Sequence, residues 1–154
     1  MDIVLHCGKD IIPIELKYCT KCLPIEETEG IILKNQGAEL IRRYDYIKDI
    51  SRIESMRKAV GEKYNFVCGY AVFLTNSSHY WEESEGWENH FDRDFRFHAG
   101  KGTIGGKMSW TEGTGGTTKG REKPLVTETY EVRWRDYISN PKFRYISIKI
   151  DPLD

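Results

Sequence analysis

The sequence predicts an α/β fold in which a mixed β-sheet is flanked by helices and interrupted by a long glycine-rich loop or hairpin. A helix is expected over residues 38–60, because apolar side chains recur there every three or four positions. The run from Phe66 to Leu74 is apolar with little alternation, which is typical of a central strand covered on both faces. Segments 130–137 and 143–150 alternate, which indicates antiparallel strands at the end of the sheet.

The chain begins with a predicted β-hairpin that turns at Gly8. Glu15 and Lys17 are two residues apart on its second strand, so they project from the same face. Ile14 and Leu16 are then expected to point to the opposite face, into a core. The hairpin therefore places an acid and a lysine side by side on one face of the sheet.

A second carboxylate joins this pair, because Asp2 comes alongside Glu15 when the hairpin closes. Two close carboxylates repel each other unless a cation lies between them. Mg²⁺ is bound in proteins by one or two carboxylates together with waters and a phosphate oxygen. Lys17 beside such a site could hold the phosphate or lower the pKa of an attacking water. The arrangement indicates a metal-dependent phosphodiesterase; the alternative is an ordinary ion pair on a half-exposed strand.

Cys19 and Cys22 have the spacing found in zinc and redox sites. A zinc site would need two more ligands, for which Cys7, Cys68 and His6 are the local choices. The pair ends a strand, whereas redox pairs usually open a helix. Two incidental reduced thiols are the favoured interpretation, and a small zinc-binding structural protein is the alternative.

The predicted helix joins two strand-like segments, so those strands are expected to be parallel and linked by a right-handed crossover. The charged helix face opposite the apolar stripe is expected to carry mostly solvated ion pairs. Further short strands are predicted over residues 31–34 and 94–98, with a turn at Asn140-Pro141. His79, His90 and His98 are expected at the surface or in loops.

Residues 100–120 predict a mobile loop or a hairpin excursion, which could contact DNA through its basic and aromatic side chains. Gly115 and Gly120 have the separation of a phosphate-binding loop. However, Arg121-Glu122 stands where that loop requires Lys followed by Ser or Thr, so no nucleotide cofactor is expected.

The 154 residues are expected to form a single domain over 1–154. The sequence shows neither a membrane-spanning run nor a secretory signal, which predicts a cytoplasmic protein without a membrane partner. The net charge of −1 argues against a general polyanion binder, but residues 1–92 carry a balance of −5 and residues 93–149 one of +6. An acidic, metal-binding half and a basic half would suit a nuclease.

Asp2 followed, after twelve residues, by Glu15-Leu16-Lys17 resembles the PD-(D/E)XK motif of the restriction-endonuclease-like nuclease superfamily. A long helix and then an apolar strand follow the motif, as in that fold. Several further stretches resemble an uncharacterised bacterial branch of the superfamily: Ile14-Glu15-Leu16-Lys17-Tyr18, Asn35-Gln36-Gly37-Ala38, Phe73-Leu74-Thr75-Asn76, Tyr80-Trp81 and Phe143-Arg144-Tyr145.

The resemblance implies a restriction-endonuclease-like domain that hydrolyses DNA phosphodiester bonds with Mg²⁺ or Mn²⁺. Asp2 and Glu15 would bind the metal, together with the backbone carbonyl of Leu16. Lys17 would position or activate water, and Gln36 would hold the water or the phosphate. Many relatives cut duplexes as dimers, which implies a homodimer.

Relatives often have a helix before the motif, which this sequence does not show. The alternative function is therefore a non-catalytic nucleic-acid-binding or subunit-interface domain that retains the fold. In that case Asp2 and Lys17 would be dispensable, whereas Arg133 and Arg135 would matter.

Overall fold

The structure is a computed structural model that describes residues 1–24, 32–61, 63–111 and 116–153. It contains a mixed sheet, a smaller two-stranded sheet and a long helix packed between them. The elements in chain order are β1 (Ile3–Cys7), β2 (Asp10–Cys19), α1 (Glu39–Ala59), β3 (Asn65–Phe66), β4 (Gly69–Thr75), β5 (Thr103–Lys107), β6 (Leu125–Glu131), β7 (Trp134–Ser139) and β8 (Lys142–Ile150).

The predicted mixed α/β arrangement is confirmed. The large sheet has the order β1-β2-β4-β8-β7, with β3 beside the start of β2, while β5 and β6 form the small sheet. Strands β2 and β4 are parallel and joined through α1, whereas β1, β8 and β7 pair antiparallel with their neighbours. Strand β4 is therefore central, as its apolar sequence predicts. No helix within the described residues is long and apolar enough to cross a bilayer.

A glycine lets α1 approach the sheet closely. A Cβ atom built on Gly69 would lie 2.3 Å from Cγ2 of Ile53 on α1. Ile53 is fully buried, as are Ile47 and Ile50 from the same helix stripe. The predicted apolar stripe thus forms the core between α1 and the strands, and its closest approach requires a residue without a side chain.

The charged face of α1 is only in part solvated, and Arg42–Asp45 and Lys48–Glu122 are ion pairs of the predicted exposed kind. Arg43, Asp49, Glu54 and Arg57 are all buried, although the sequence predicts mostly exposed ion pairs there. The reason is that α1 is covered on two sides. The large sheet packs against the apolar stripe, and residues from 79–131 bond to the charged face.

The sheet face away from α1 is open, which contradicts two predictions. Leu16 is 47% exposed and Ile14 is half-buried, so these residues do not point into the core. Likewise β4 is covered on one face only, because its alternate residues are half-exposed. Strand pairing places these residues on what we call the open face: Ile3, Leu5, Ile12, Ile14, Leu16, Tyr18, Tyr70, Val72, Leu74, Ile138 and Tyr145.

The polar middle of the chain contributes more to the core than predicted. Residues 94–98 are not a strand; Arg93–Phe95 is a 3-10 turn, and Phe95 and Phe97 are buried among aromatic rings. His98 is buried against Trp87 and is not a surface residue.

Two other strand predictions need correction. Residues 32–34 are not in a strand, and Ile31 lies outside the described residues. Segment 130–137 is divided between β6 and β7, which belong to different sheets. The predicted hairpin excursion is present where β5 pairs with β6, while residues 112–115 lie outside the described part of the chain.

Candidate functional site

Glu15 and Lys17 lie on the face of β2 that α1 covers. The alternation of β2 buries Glu15, which is only 2% exposed. A carboxylate this deep needs a partner, and Oε1 of Glu15 accepts a hydrogen bond of 2.6 Å from Nη1 of Arg52. The amino nitrogen of Met1 is 3.4 Å from the same oxygen. The predicted acid, Glu15, therefore lies on β2, and Arg52 of α1 provides the positive charge that balances it.

Lys17 is bound to α1 through a residue that the motif does not contain. Its Nζ is 3.1 Å from Oδ2 of Asp49, while Oδ1 of Asp49 is 3.1 Å from Nη2 of Arg52. Burial raises the pKa of the Asp49 carboxyl above its ordinary value, and the Lys17 ammonium opposes that shift. These contacts form a continuous chain of alternating charge, which we call the ion-pair chain: Glu15, Arg52, Asp49 and Lys17.

Asp2 joins the site at the edge of the sheet. Its Oδ2 accepts a hydrogen bond of 2.8 Å from the backbone N–H of Leu16, which holds the pKa of the Asp2 carboxyl below its ordinary value. Pairing of Ile3 with Ile14 across the hairpin places Asp2 next to Glu15. The predicted meeting of Asp2 with Glu15 is therefore present in the structure.

Gln36 lies further along, beyond the end of β2. Its backbone N–H donates to the carbonyl oxygen of Thr20 at 2.8 Å, and the residue is half-buried. Among the described residues, those that line the cavity beside Lys17 do not include Gln36. Its predicted contact with water or phosphate remains a prediction.

A charged cavity of about 460 Å³ opens beside the ion-pair chain. Lys17, Asp49 and Arg52 line it together with Tyr44 from α1 and residues 120–122. The predicted loop reaches this cavity at its last residue, because Gly120 is part of the lining. The next residue, Arg121, has its guanidinium 5.3 Å from the centre of the Tyr44 ring.

A second cavity of about 470 Å³ extends this space along α1. The two cavities share Lys48, Arg52 and Glu122, so we call them together the α1 groove. Basic side chains outnumber acidic ones in its lining, five to three: Lys17, Lys48, Arg52, Arg121 and Lys123 against Asp45, Asp49 and Glu122. A groove of this composition favours an anionic ligand.

The donor set at Asp2 and Glu15 is small but chemically suitable for Mg²⁺ or Mn²⁺. Within the described ranges, no three His, Cys, Asp or Glu side chains are grouped to hold a metal ion. However, Mg²⁺ commonly uses only one or two carboxylates and completes its shell with waters and substrate phosphates. Two adjacent carboxyl groups and the Leu16 carbonyl fit that mode of binding, so the residues present are compatible with the predicted metal.

The cysteines do not form a second site in the part of the chain that is described. All four thiols are free; Cys19 is buried at the end of β2, whereas Cys22 is exposed.

Sequence reasoning missed Asp49 and Arg52 as site residues. The motif concerns only the hairpin, and the helix residues that contact it cannot be recognised by spacing from Glu15 or Lys17. One signal was available, because Asp49 and Arg52 are three residues apart and so lie on the same side of a helix. Comparison of the chain with protein-family models, curated proteins and solved structures finds no match.

Proposed function

We propose that this protein is a metal-dependent nuclease of the restriction-endonuclease-like type that hydrolyses DNA phosphodiester bonds. One observation carries the proposal. The buried Glu15 carboxylate and the Lys17 ammonium lie side by side on β2, next to the predominantly basic α1 groove. An ion pair at the surface would leave its acid exposed. An ion pair with a purely structural role would not require a cavity lined by charged residues beside it.

In the proposed reaction Asp2, Glu15 and the Leu16 carbonyl hold Mg²⁺ or Mn²⁺, which supplies Lewis-acid polarisation of a phosphate oxygen. Lys17 stabilises the negative charge that the phosphate gathers as water attacks phosphorus and the P–O bond to the leaving group breaks. Lys123, which also lines the α1 groove, offers a contact to a neighbouring phosphate, which fixes the position of the strand without reading its sequence.

We expect Glu15→Gln to abolish Mn²⁺ binding, because a neutral amide cannot replace one of the two carboxylates on which the proposed site depends. Titration calorimetry of the wild type and the variant measures this directly. Glu131→Gln is the matched control, since Glu131 is exposed and paired with Arg133. Equal Mn²⁺ binding by the wild type and Glu15→Gln would contradict the proposal.

The same preparations test for cleavage. Lys17→Met is expected to lower Mn²⁺-dependent DNA cleavage by about 10²–10³-fold, as loss of one transition-state contact does. Absence of Mn²⁺-dependent cleavage by the wild type, with DNA binding that survives Lys17→Met but is weakened in variants of Arg133 or Arg135, would favour the non-catalytic alternative. Both arginines lie away from the α1 groove; Arg133 is exposed and paired with Glu131, and Arg135 is exposed on β7.

A second candidate function, subunit association, is favoured by the open face. Five strands about 4.8 Å apart and about seven residues long give a face of roughly 550 Å². Two such faces would bury about 1,100 Å² in total, which reaches the size of a specific interface. Lys149 lies opposite Tyr70 on this side of the sheet and is paired with Asp151, whereas the exposed Arg135 lies opposite Tyr145 in the edge strand β7, so the packing must keep the two Arg135 side chains apart. We therefore propose a homodimer in which two open faces pack against each other.

We expect Leu5→Lys and Tyr18→Lys to weaken this dimer at least about tenfold, because each would bury an unpaired charge in the interface. Analytical ultracentrifugation over a range of concentrations gives the dissociation constants. Ile32→Lys is the control, because Ile32 is highly exposed but lies outside the sheet. A wild type that stays monomeric, or variants that dimerise like the wild type, would rule the arrangement out.

A further inference from the structure

We infer that the Arg52 guanidinium is bound to the Glu15 carboxylate in the metal-free protein and must leave that carboxylate before a metal ion can bind. The inference rests on the proposed metal site and adds to it a residue of α1 that the motif does not contain. It assigns Arg52 two successive positions, one on Glu15 and one in the α1 groove.

Arg52 and a metal ion at the proposed site would compete for one carboxylate. Nη1 of Arg52 lies 2.6 Å from Oε1 of Glu15, which is the distance of a strong charge-assisted hydrogen bond. A metal ion bound to the same carboxylate would lie within about 4 Å of that guanidinium. At such a distance two cations repel each other strongly in a site of reduced dielectric constant. Arg52 and a divalent ion therefore cannot both occupy Glu15 without loss of affinity.

The exposure of the Arg52 side chain leaves it room to move away from Glu15. Glu15 is buried, but the Arg52 side chain is 48% exposed and lines both cavities of the α1 groove. Its Nη2 also contacts Asp49 at 3.1 Å. Asp49 can therefore retain one end of the guanidinium while the other end turns from Glu15 towards solvent.

The α1 groove can receive the displaced Arg52 guanidinium. The α1 groove is the place where the proposed function puts the DNA backbone, and a planar guanidinium binds phosphate oxygens in a bidentate manner. Release of Arg52 from Glu15 would thus open the metal site and add a phosphate contact in one movement. Metal and DNA are then expected to strengthen each other's binding, since both favour the same position of Arg52.

The experiment is Mn²⁺ titration calorimetry on the wild type, Arg52→Gln, Arg52→Met and Lys48→Met. Lys48 is the matched control, because it lines the same cavity as Arg52 but is paired with the exposed Glu122. Removing either cation lowers the local positive charge, but only the Arg52 variants also remove the shorter of the two contacts to Oε1 of Glu15 and leave that oxygen with the Met1 amino group at 3.4 Å. We expect the Arg52 variants to bind Mn²⁺ about tenfold or more tightly than the wild type, and Lys48→Met to differ by less than about threefold.

The outcomes separate this inference from the proposed function. Equal affinity gains in the Arg52 and Lys48 variants, or none in either, would overturn the role of Arg52 while metal binding that depends on Glu15 still supports the nuclease. Absence of Mn²⁺ binding in every variant would overturn both. Arg52→Gln keeps a hydrogen-bond donor for Glu15, so it provides a folded test if Arg52→Met unfolds, and circular dichroism verifies the fold of each.

Discussion

Replacing Glu54 with alanine is expected to lower the free energy of unfolding by about 3–5 kcal/mol, because the buried Tyr130 hydroxyl and three part-buried donors lose their acceptor at about 1 kcal/mol each. Glu54 is buried on α1 and accepts hydrogen bonds from four groups of the β6 strand. They are the Thr127 N–H at 2.7 Å, the Thr127 hydroxyl at 2.9 Å, the Glu128 N–H at 3.1 Å and the Tyr130 hydroxyl at 2.8 Å. This carboxylate therefore fixes the small sheet to the helix.

Urea unfolding followed by circular dichroism measures the loss. Glu54→Gln should cost less than Glu54→Ala, because it keeps one acceptor oxygen but turns an N–H₂ group towards donors. Lys58→Ala is the control on the same helix, since Lys58 is exposed, and its change should stay within about 0.5 kcal/mol. A loss below about 1 kcal/mol in Glu54→Ala would show that the network is not what holds β6 to α1.

Asp92→Asn is expected to cost a similar amount, about 3–5 kcal/mol, because it removes the anion from a buried group of three charges. Asp92 is 0% exposed, and its two oxygens accept hydrogen bonds from Arg43 at 2.9 Å and Arg96 at 3.0 Å. Both arginines are themselves buried. A neutral amide would leave two guanidinium groups with no balancing charge and would present N–H groups to one of them.

The control for this substitution is Asp136→Asn, because Asp136 forms a comparable pair with Arg144 but is largely exposed. Its loss of stability should not exceed about 1 kcal/mol and should shrink with added salt, whereas the Asp92→Asn loss should be insensitive to salt. Equal losses in the two variants would mean that Asp92 behaves as a surface acid, contrary to its burial.

The main elements of the fold follow from the sequence, because periodicity reports burial directly. The α1 stripe and the alternating strand β8 each have one face that must leave water, and each lies where its pattern predicts; β4 is central, as its apolar run predicts, but only one of its faces is covered. The pattern fails where a segment is buried by something other than its own alternation. Residues 93–98 form a 3-10 turn and irregular chain packed among aromatic rings, and their apolar residues show neither a helical nor a strand periodicity.

The site is predictable only in the part that lies within one hairpin. Asp2, Glu15 and Lys17 meet because pairing across β1 and β2 is local. Asp49 and Arg52 reach the site through the docking of α1, and sequence spacing does not report how a helix is rotated about its axis. The same limit explains why Leu16 was assigned to the core: its apolar side chain suggested burial, but α1 covers the face that carries Glu15.

The central position of β4 has a consequence for synthesis on the ribosome. Its two neighbours come from opposite parts of the chain, since Ile14 lies opposite Tyr70 and Gly69 lies opposite Ile150. At translation rates of about 5–20 residues per second, one edge of β4 therefore stays unpaired for roughly 4–15 s before β8 follows. An exposed apolar strand edge is prone to pair with other chains. Because β7 and β8 are consecutive strands of a hairpin, they can cover that edge in a single step.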